Sequence, residues 1–317
     1  MMILGLDVMG GDHAPEVTIS GAVASLEALH QGVRIALFGP RDVILAELKK
    51  HDADPQCFDI VDCPEVINMG ESPIRAFSAK PHSSIAVGFK YLKMKKISAF
   101  SSAGSTGVMF VGTMNNTERI PGIIRPCIST VIPKEDGKVN LMLDVGLNPD
   151  CRVDVMYQFA ILGYIYAKHI LKIPDPKVGI LNIGEEEKKG SILTQSLYQL
   201  LKDAPELNFV GNVEGIEMFT DKADVIVTDG FTGNIVLKQM EAITAIFTKR
   251  GLRDSYIDSF NYENFGGTPI LGINAPVFIG HGKSSSKAIK NMILASQEMV
   301  YSNLITNFKK AFKHISL

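Results

Sequence analysis

Four glycine-rich segments in this chain each follow a short apolar run. They are Met9-Gly10-Gly11-Asp12-His13-Ala14-Pro15, Ser102-Ala103-Gly104-Ser105-Thr106-Gly107, Asp229-Gly230-Phe231-Thr232-Gly233-Asn234 and Gly280-His281-Gly282-Lys283-Ser284. A loop between a buried strand and a helix points several backbone N–H groups and the positive end of a helix dipole at one spot, which suits a phosphate or an oxyanion. One such loop says little. Four in one chain, two of them with a histidine, point to an enzyme that handles phosphate.

The residues for holding phosphate are then Gly10, Gly11, Gly104, Ser105, Thr106, Asp229, Gly233, Gly282, Lys283 and Ser284. The chemistry falls to Asp12 and His13 in the first loop, His281 in the last and Asn234. A loop histidine on its own is ordinarily structural or solvated. Two in separate glycine loops shift that balance, because strand ends gather at one crevice in open α/β sheets. Their roles would be proton transfer or hydrogen bonding to a developing negative charge. Asn234 either closes a well-capped turn or donates to an oxyanion. Gly184-Glu185-Glu186-Glu187-Lys188-Lys189-Gly190 reads equally as a charged helix entry and as a lip of the crevice, with Lys188 or Lys189 reaching an anion. No carboxylate metal site is expected there, since no histidine is near and the lysines compete.

Two nucleotide readings fail. No G-x-G-x-x-G follows a strand, and no acidic ribose hook lies about 20 residues after the first loop. Gly282-Lys283-Ser284 ends like a P-loop, but the required first glycine would fall on Val277. Cys57, Cys63, Cys127 and Cys151 form no C-x-x-C pair, so neither zinc nor a redox motif is indicated. Cys151 follows Asn148-Pro149-Asp150, where a helix opening would lower its pKa and permit a covalent acyl-cysteine. A small buried residue is the competing explanation.

The 317 residues provide for one large α/β unit or for two lobes between which the chain crosses more than once. Lys plus Arg number 32 against 34 Asp plus Glu, a balance that argues against a nucleic-acid protein. The start carries no basic leader, and the longest apolar run, near Val155–Ala167, is short of the roughly 20 residues a bilayer span needs. A cytoplasmic protein is expected.

Strands are predicted over Ile3–Val8, Val33–Phe38, Phe58–Asp62, Ile97–Ser101, Ser129–Ile132, Leu141–Val145, Val178–Asn182, Asn208–Val210, Val225–Thr228 and Pro276–Ile279. Helices are predicted over Glu16–Leu29, Val43–His51, Ser83–Lys95, Arg152–Ile170, Ile192–Lys202, Asn234–Phe247 and Lys287–Phe312, with Ser83 and Ser191 as caps. This alternation predicts an α/β fold with a largely parallel sheet. The least regular stretch, Thr248–Thr268, carries Lys249, Arg250 and Arg253, then Tyr256, Phe260, Tyr262 and Phe265. It reads either as a contact for a membrane or an acidic protein or as a solvated connection.

Read together, the ordered motifs resemble the bacterial phosphate acyltransferases of the PlsX type. The resemblance rests on Asp7–Pro15, Ser102–Gly107, Ile120–Pro126, Leu143-Asp144-Val145-Gly146-Leu147-Asn148, Leu181–Glu186, Gly211–Gly215 and Asp229–Lys238, and runs from Asp7 to the last helix. It implies a three-layer α/β/α sandwich with a mixed sheet, related to phosphate acetyltransferases and to isocitrate and isopropylmalate dehydrogenases. It implies a reaction in which inorganic phosphate and acyl–acyl carrier protein give acyl phosphate and free carrier protein, feeding phospholipid synthesis. It also implies a homodimer with peripheral membrane contact, and no cofactor. Two departures stand out. The family's longer spacing before Tyr262–Gly272 is compressed here, which leaves contacts made by that excursion open. Lys283 stands where the family's loop usually has a small residue. Coenzyme A as acyl carrier, or a non-catalytic acyl or phosphate sensor, are the alternatives. The chemistry is coherent: phosphate dianion is a competent nucleophile, so the protein must position it, stabilise the tetrahedral oxyanion and assist thiolate departure.

Overall fold

The protein is described by a computed structural model over residues 2–252 and 254–313. Arg253, named above in the basic stretch, lies outside the described residues. In chain order the elements are β1 (Met2–Asp7), α1 (Glu16–Ser25), β2 (Val33–Gly39), α2 (Arg41–Lys50), β3 (Phe58–Asp62), α3 (Pro73–Ala79), α4 (Ser84–Lys93), β4 (Ala99–Ser102) and α5 (Thr106–Asn116). Then come β5 (Cys127–Pro133), β6 (Val139–Leu143), α6 (Val153–His169), β7 (Lys177–Leu181), α7 (Ile192–Lys202), β8 (Asn208–Val213), β9 (Val225–Val227), α8 (Gly230–Lys249) and α9 (Ser255–Ser259). The chain closes with β10 (Thr268–Leu271), β11 (Val277–Ile279), α10 (Ser286–Tyr301) and α11 (Leu304–Phe312).

These form two compact units. The first comprises residues up to Glu118 with Tyr262–Pro269 and Ile273–Tyr301; the second comprises Arg119–Asn261, Ile270–Gly272 and residues from Ser302 onward. In the first, β3, β2, β1, β4 and β11 run parallel in that order, and Thr268 and Pro269 of β10 add an antiparallel pairing to β11. In the second, Ile270 and Leu271 of β10 pair antiparallel with β5, β5 pairs antiparallel with β6, and β6, β9, β7 and β8 are parallel. The expected largely parallel, mixed α/β sheet is therefore present. Parallel strands covered on both faces read as continuous apolar runs, which is why they were legible. Leu4, Leu6, Ile35, Leu37, Phe38, Leu141, Leu143, Val225 and Val227 are all buried.

Each predicted strand and helix has a counterpart, and Ser83 and Ser191 do cap α4 and α7. Five features differ. Helix α5 has the sequence TGVMFVGTMNN, whose glycines and β-branched residues are weak helix formers. It is held by packing, with Gly112 flat against the Phe89 ring. Helices α3 and α9 are short pieces outside the prediction. Strand β10 contains Pro269, which hides a strand from a propensity reading. The helix expected over Lys287–Phe312 is two helices, because Asn303 adopts a left-handed φ of 53° between α10 and α11. Helix α8 starts at Gly230, four residues earlier than expected, and among its residues only Gly230 and Gly233 are buried. Among the described residues, no helix is long and apolar enough to cross a membrane.

Close helix-to-sheet approach in the first unit depends on Gly88 of α4. A Cβ there would lie 2.1 Å from Phe100 Cε2 and 2.2 Å from its Cζ. That ring is fully buried and edge-packed between Phe38 and Phe89. Gly88→Ala is expected to destabilise the fold by about 1–3 kcal/mol, the usual cost of overpacking a tight core. The measurement is a lowered urea midpoint at unchanged slope; an unmoved midpoint would mean that the ring yields freely.

Candidate functional site

In the first unit the glycine loops are tied together by one carboxylate. Asp7 ends β1 and is buried. Its Oδ1 accepts from Met9 N at 3.0 Å, and its Oδ2 accepts from Ser102 Oγ at 2.6 Å. Ser102 Oγ in turn accepts from Gly104 N at 2.9 Å. Burial pushes the Asp7 carboxyl up, while the hydroxyls of Ser102 and Ser84 and nearby backbone N–H groups pull it back. A Cβ on Gly10 would lie 2.5 Å from Asp7 Oδ2 and 2.7 Å from Gly104 N, so only glycine lets the first and second loops meet. The last loop joins them, since Asp12 N donates to Gly282 O at 2.7 Å.

Around this knot lie Gly10, Gly11, Asp12, His13, Gly104, Ser105, Thr106, His281, Gly282, Lys283 and Ser284. Asp12, His13, Thr106 and Lys283 are exposed. Ser105 precedes α5, and its side chain makes no cap hydrogen bond. His281 Nδ1 accepts from Lys283 N at 3.1 Å. A neutral imidazole that accepts at Nδ1 carries its proton on Nε2, so His281 can donate from that atom. Its ring lies against Tyr262, centroids 4.8 Å apart, and the Tyr262 hydroxyl donates to Lys283 O at 2.9 Å. Ser284 is 1% exposed, and its Oγ has no hydrogen-bond partner among the described residues. A buried hydroxyl left without a hydrogen bond is costly, so this group is set for a missing acceptor or donor.

The second unit repeats the device. Asp144 follows β6 directly and is buried. It accepts from Ile128 N at 2.9 Å, Leu147 N at 3.1 Å, Asn148 N at 2.6 Å and Asn148 Nδ2 at 2.9 Å. Burial raises its pKa and these donors oppose the rise. Asn148 O accepts from Gly230 N at 2.8 Å, which seats the first turn of α8. Asn234 lies in the second turn of α8 rather than at its start, and its Nδ2 donates to Val145 O at 3.2 Å.

Asp229 is the N-cap of α8. Thr232 N and Thr232 Oγ1 each donate to its carboxylate at 2.8 Å, so both oxygens serve the helix. Segment Gly184–Gly190 is a loop and not a helix entry, because α7 begins only at Ile192. Lys189 stays within that loop. Its N donates to Glu186 O at 3.0 Å, and its half-exposed ammonium lies 3.9 Å from Glu186 Oε2. Cys151 does not open a helix either, since Arg152 precedes α6 as its cap residue. Burial pushes the Cys151 thiol up to about 11, against the lowering that a helix opening would give. His13, His281 and Ser284 thus belong to the first unit, and Asn234 and Lys189 to the second. Asp7 and Asp144 were missing from the site residues read from sequence. The available signal was an aspartate ending an apolar run just before a glycine turn, in Asp7-Val8-Met9-Gly10 and Asp144-Val145-Gly146.

The family described as "Fatty acid synthesis protein" matches residues 2–256. A phosphate acyltransferase from Halothermothrix orenii is 39% identical over 335 residues, covering 98% of each chain. One from Lysinibacillus sphaericus is 39% identical over 336 residues, covering all of both. Among solved structures, a phosphotransacetylase from Streptococcus pyogenes matches with a TM-score of 0.68 at 18% identity, over 95% of this chain and 94% of the other. A branched-chain phosphotransacylase from Enterococcus faecalis V583 matches with 0.65 at 13% identity, over 95% and 99%. The structural likenesses establish the fold alone.

The Cys151 geometry has a readable consequence. Because burial raises the folded thiol, little thiolate exists at pH 8, and it grows only as pH approaches 11. Exposed Cys57 is the internal control. Iodoacetamide at pH 8 is expected to label Cys57 at least about tenfold faster than Cys151, read by peptide mass spectrometry. Equal rates would refute the buried, protonated thiol.

Proposed function

The chain belongs to the phosphate acyltransferase family, and we propose that it moves the acyl group of acyl–acyl carrier protein onto inorganic phosphate, releasing acyl phosphate and free carrier protein. The observation that carries the phosphate half is the unspent, buried Ser284 hydroxyl beside three glycine loops held at one place. Backbone N–H groups of those loops, the Ser105 hydroxyl and the start of α10 suit a dianion.

In this reading a phosphate oxygen attacks the thioester carbonyl carbon. The C–O bond forms, the carbonyl pair becomes an oxyanion, and the C–S bond then breaks. The oxyanion takes a hydrogen bond from Asn234, whose amide keeps one N–H beyond that given to Val145 O. The thiolate departs with the C–S electron pair and accepts a hydrogen bond from His281 Nε2, and Asp12 and His13 assist in the first loop. Lys283 and Lys189 add positive charge for anionic substrate. No side-chain nucleophile enters, so Cys151 is a bystander. Coenzyme A thioesters are the second reading, and parallel assays of both thioesters separate the two.

The family reading also assigns a second copy of the chain as partner and peripheral contact with a membrane, within a cytoplasmic setting. Phe231, Ile235, Ile243 and Ile246 of α8 stand half or more exposed, or close to it, and support a covered face on that helix. Light scattering at micromolar concentration is expected to give twice the chain mass; a monomer would sink that assignment.

For the reaction, phosphate-dependent release of free carrier protein from long-chain acyl–carrier protein is expected, with acyl phosphate formed. Activity is expected to survive chelation, and loss restored by a divalent ion would contradict the direct-attack scheme. Ser284→Ala is expected to raise KM for phosphate by about tenfold or more, the worth of one hydrogen bond to a charged group. His13→Ala and Asn234→Ala are expected to slow turnover, by about 100-fold for the oxyanion donor. A folded variant within about threefold of wild type removes that residue from the machinery, and a dead Cys151→Ser would overturn direct attack.

A further inference from the structure

Asp144 has no task in the chemistry above, yet its carboxylate takes four hydrogen-bond donors and its neighbourhood is cleared by glycines. It is a buried carboxylate whose pKa burial raises, and neutral N–H donors alone oppose that rise. Holding a turn does not require a charge, and burying one is expensive unless it is fully hydrogen-bonded. Its four donors come from β5 and from the turn that follows it.

Three glycines are cleared around Asp144 and Asn234, one at the carboxylate, one at the Asp144 backbone carbonyl and one at the Asn234 amide. A Cβ on Gly233 would lie 1.9 Å from Asp144 O, and one on Gly230 would lie 2.7 Å from Asp144 Oδ2. A Cβ on Gly146, whose φ is +136°, would lie 2.8 Å from Asn234 Nδ2. Two of these glycines are in the first turn of α8, and the third is in the turn that Asp144 grips.

Two paths lead from this carboxylate to Asn234. One is covalent: Val145, the next residue, presents the carbonyl to which Asn234 Nδ2 donates at 3.2 Å. The other runs through Asn148. Its backbone N and Nδ2 are held by Asp144, its Nδ2 also donates to Pro126 O at 2.8 Å, and its carbonyl accepts from Gly230 N at 2.8 Å. Gly230 opens the helix that carries Asn234 one turn later.

We infer that Asp144 is a positioning residue for the reaction, fixing the Asn234 amide through the Val145 carbonyl and the seat of α8. This rests on the reading of Asn234 as the oxyanion donor. Asp144 touches no substrate and transfers no proton. By fixing the turn that carries the Val145 carbonyl, it keeps one N–H of Asn234 occupied and the amide plane fixed, so that the other N–H is pre-aimed. Such pre-aiming matters because a donor displaced by about an ångström loses most of its transition-state benefit.

A double-mutant cycle on the full-length enzyme tests this. Asp144→Asn keeps the shape but puts an NH₂ where only acceptors fit. In the wild-type background it is expected to lower kcat at least about tenfold, with KM for the acyl thioester moved less than about threefold. In the Asn234→Ala background the same change is expected to cost less than about threefold, because its target is gone. Equal losses in both backgrounds, or a folded Asp144→Asn within about threefold of wild type, overturn the inference. If Asp144→Asn does not fold by circular dichroism, Asn148→Ala enters the same cycle with the same expected pattern, since it removes the Nδ2 bonds to Asp144 and Pro126 that hold the second path and leaves the carboxylate. If Asn234→Ala is itself near wild type, the oxyanion reading fails and the inference with it. A slow Asn234→Ala with additive losses fails the inference alone.

Discussion

The arrangement of each candidate site depends on one interaction, a carboxylate buried at the end of a parallel strand and satisfied by backbone N–H groups of the loop that follows. Asp7 does this after β1 and Asp144 after β6. A strand end on its own leaves its loop free to sample many conformations, and ordering each residue costs about 1–2 kcal/mol. A buried carboxylate changes that balance. Any loop conformation that withdraws its N–H groups leaves buried acceptor oxygens unsatisfied in the interior, a cost of about 1–3 kcal/mol that offsets the entropy of ordering. The carboxylate therefore selects one loop shape. The remaining N–H groups of that loop, which the carboxylate does not consume, stay available for a ligand.

This device explains why the glycines are where they are. The loops are not glycine-rich for general flexibility. Gly10 has no Cβ because Asp7, Ser102 and Gly104 fill the space a Cβ would take, and Gly233 has none because the carbonyl of Asp144 does. Gly11 and Gly146 hold φ of +113° and +136°, in the region that disfavours side chains. Each glycine either permits a loop to close on its carboxylate or bends the loop back toward it. Replacing one would cost more than a local turn, because the carboxylate would lose donors at the same time.

Much of this was legible in the sequence, and the limits have physical causes. Buried parallel strands gave apolar runs that periodicity detects, and serine caps marked α4 and α7. Helix α5 was hidden because its residues favour strand locally and only its packing against Phe89 makes it helical. Strand β10 was hidden by Pro269, and the break between α10 and α11 by an apolar pattern that continues across Asn303. At the site, the loops themselves announced Gly10, Gly104 and Ser284. What the sequence could not display was which polar groups are already spent. Asp229 looked like a ligand-facing residue, but both its oxygens cap α8. Ser284 looked like one serine among three, and only its burial without a partner distinguishes it. Satisfaction of hydrogen bonds is a three-dimensional property, so sequence reads the donors and not their occupancy.

Occupancy also bears on the two histidines. His13 is exposed at the rim of its loop, whereas His281 has Nδ1 engaged by Lys283 N and its ring set against Tyr262. A neutral ring whose Nδ1 accepts a backbone hydrogen bond has its tautomer chosen before substrate arrives, with the hydrogen on Nε2. That tautomer presents an Nε2–H hydrogen-bond donor from a fixed position, which suits a developing negative charge and requires no transfer of its proton. Its Nδ1 is engaged and not free to act as a general base, and phosphate dianion needs no such base. The same economy appears across both units: the protein spends its buried carboxylates on fixing donors in place, because the nucleophile arrives already ionised.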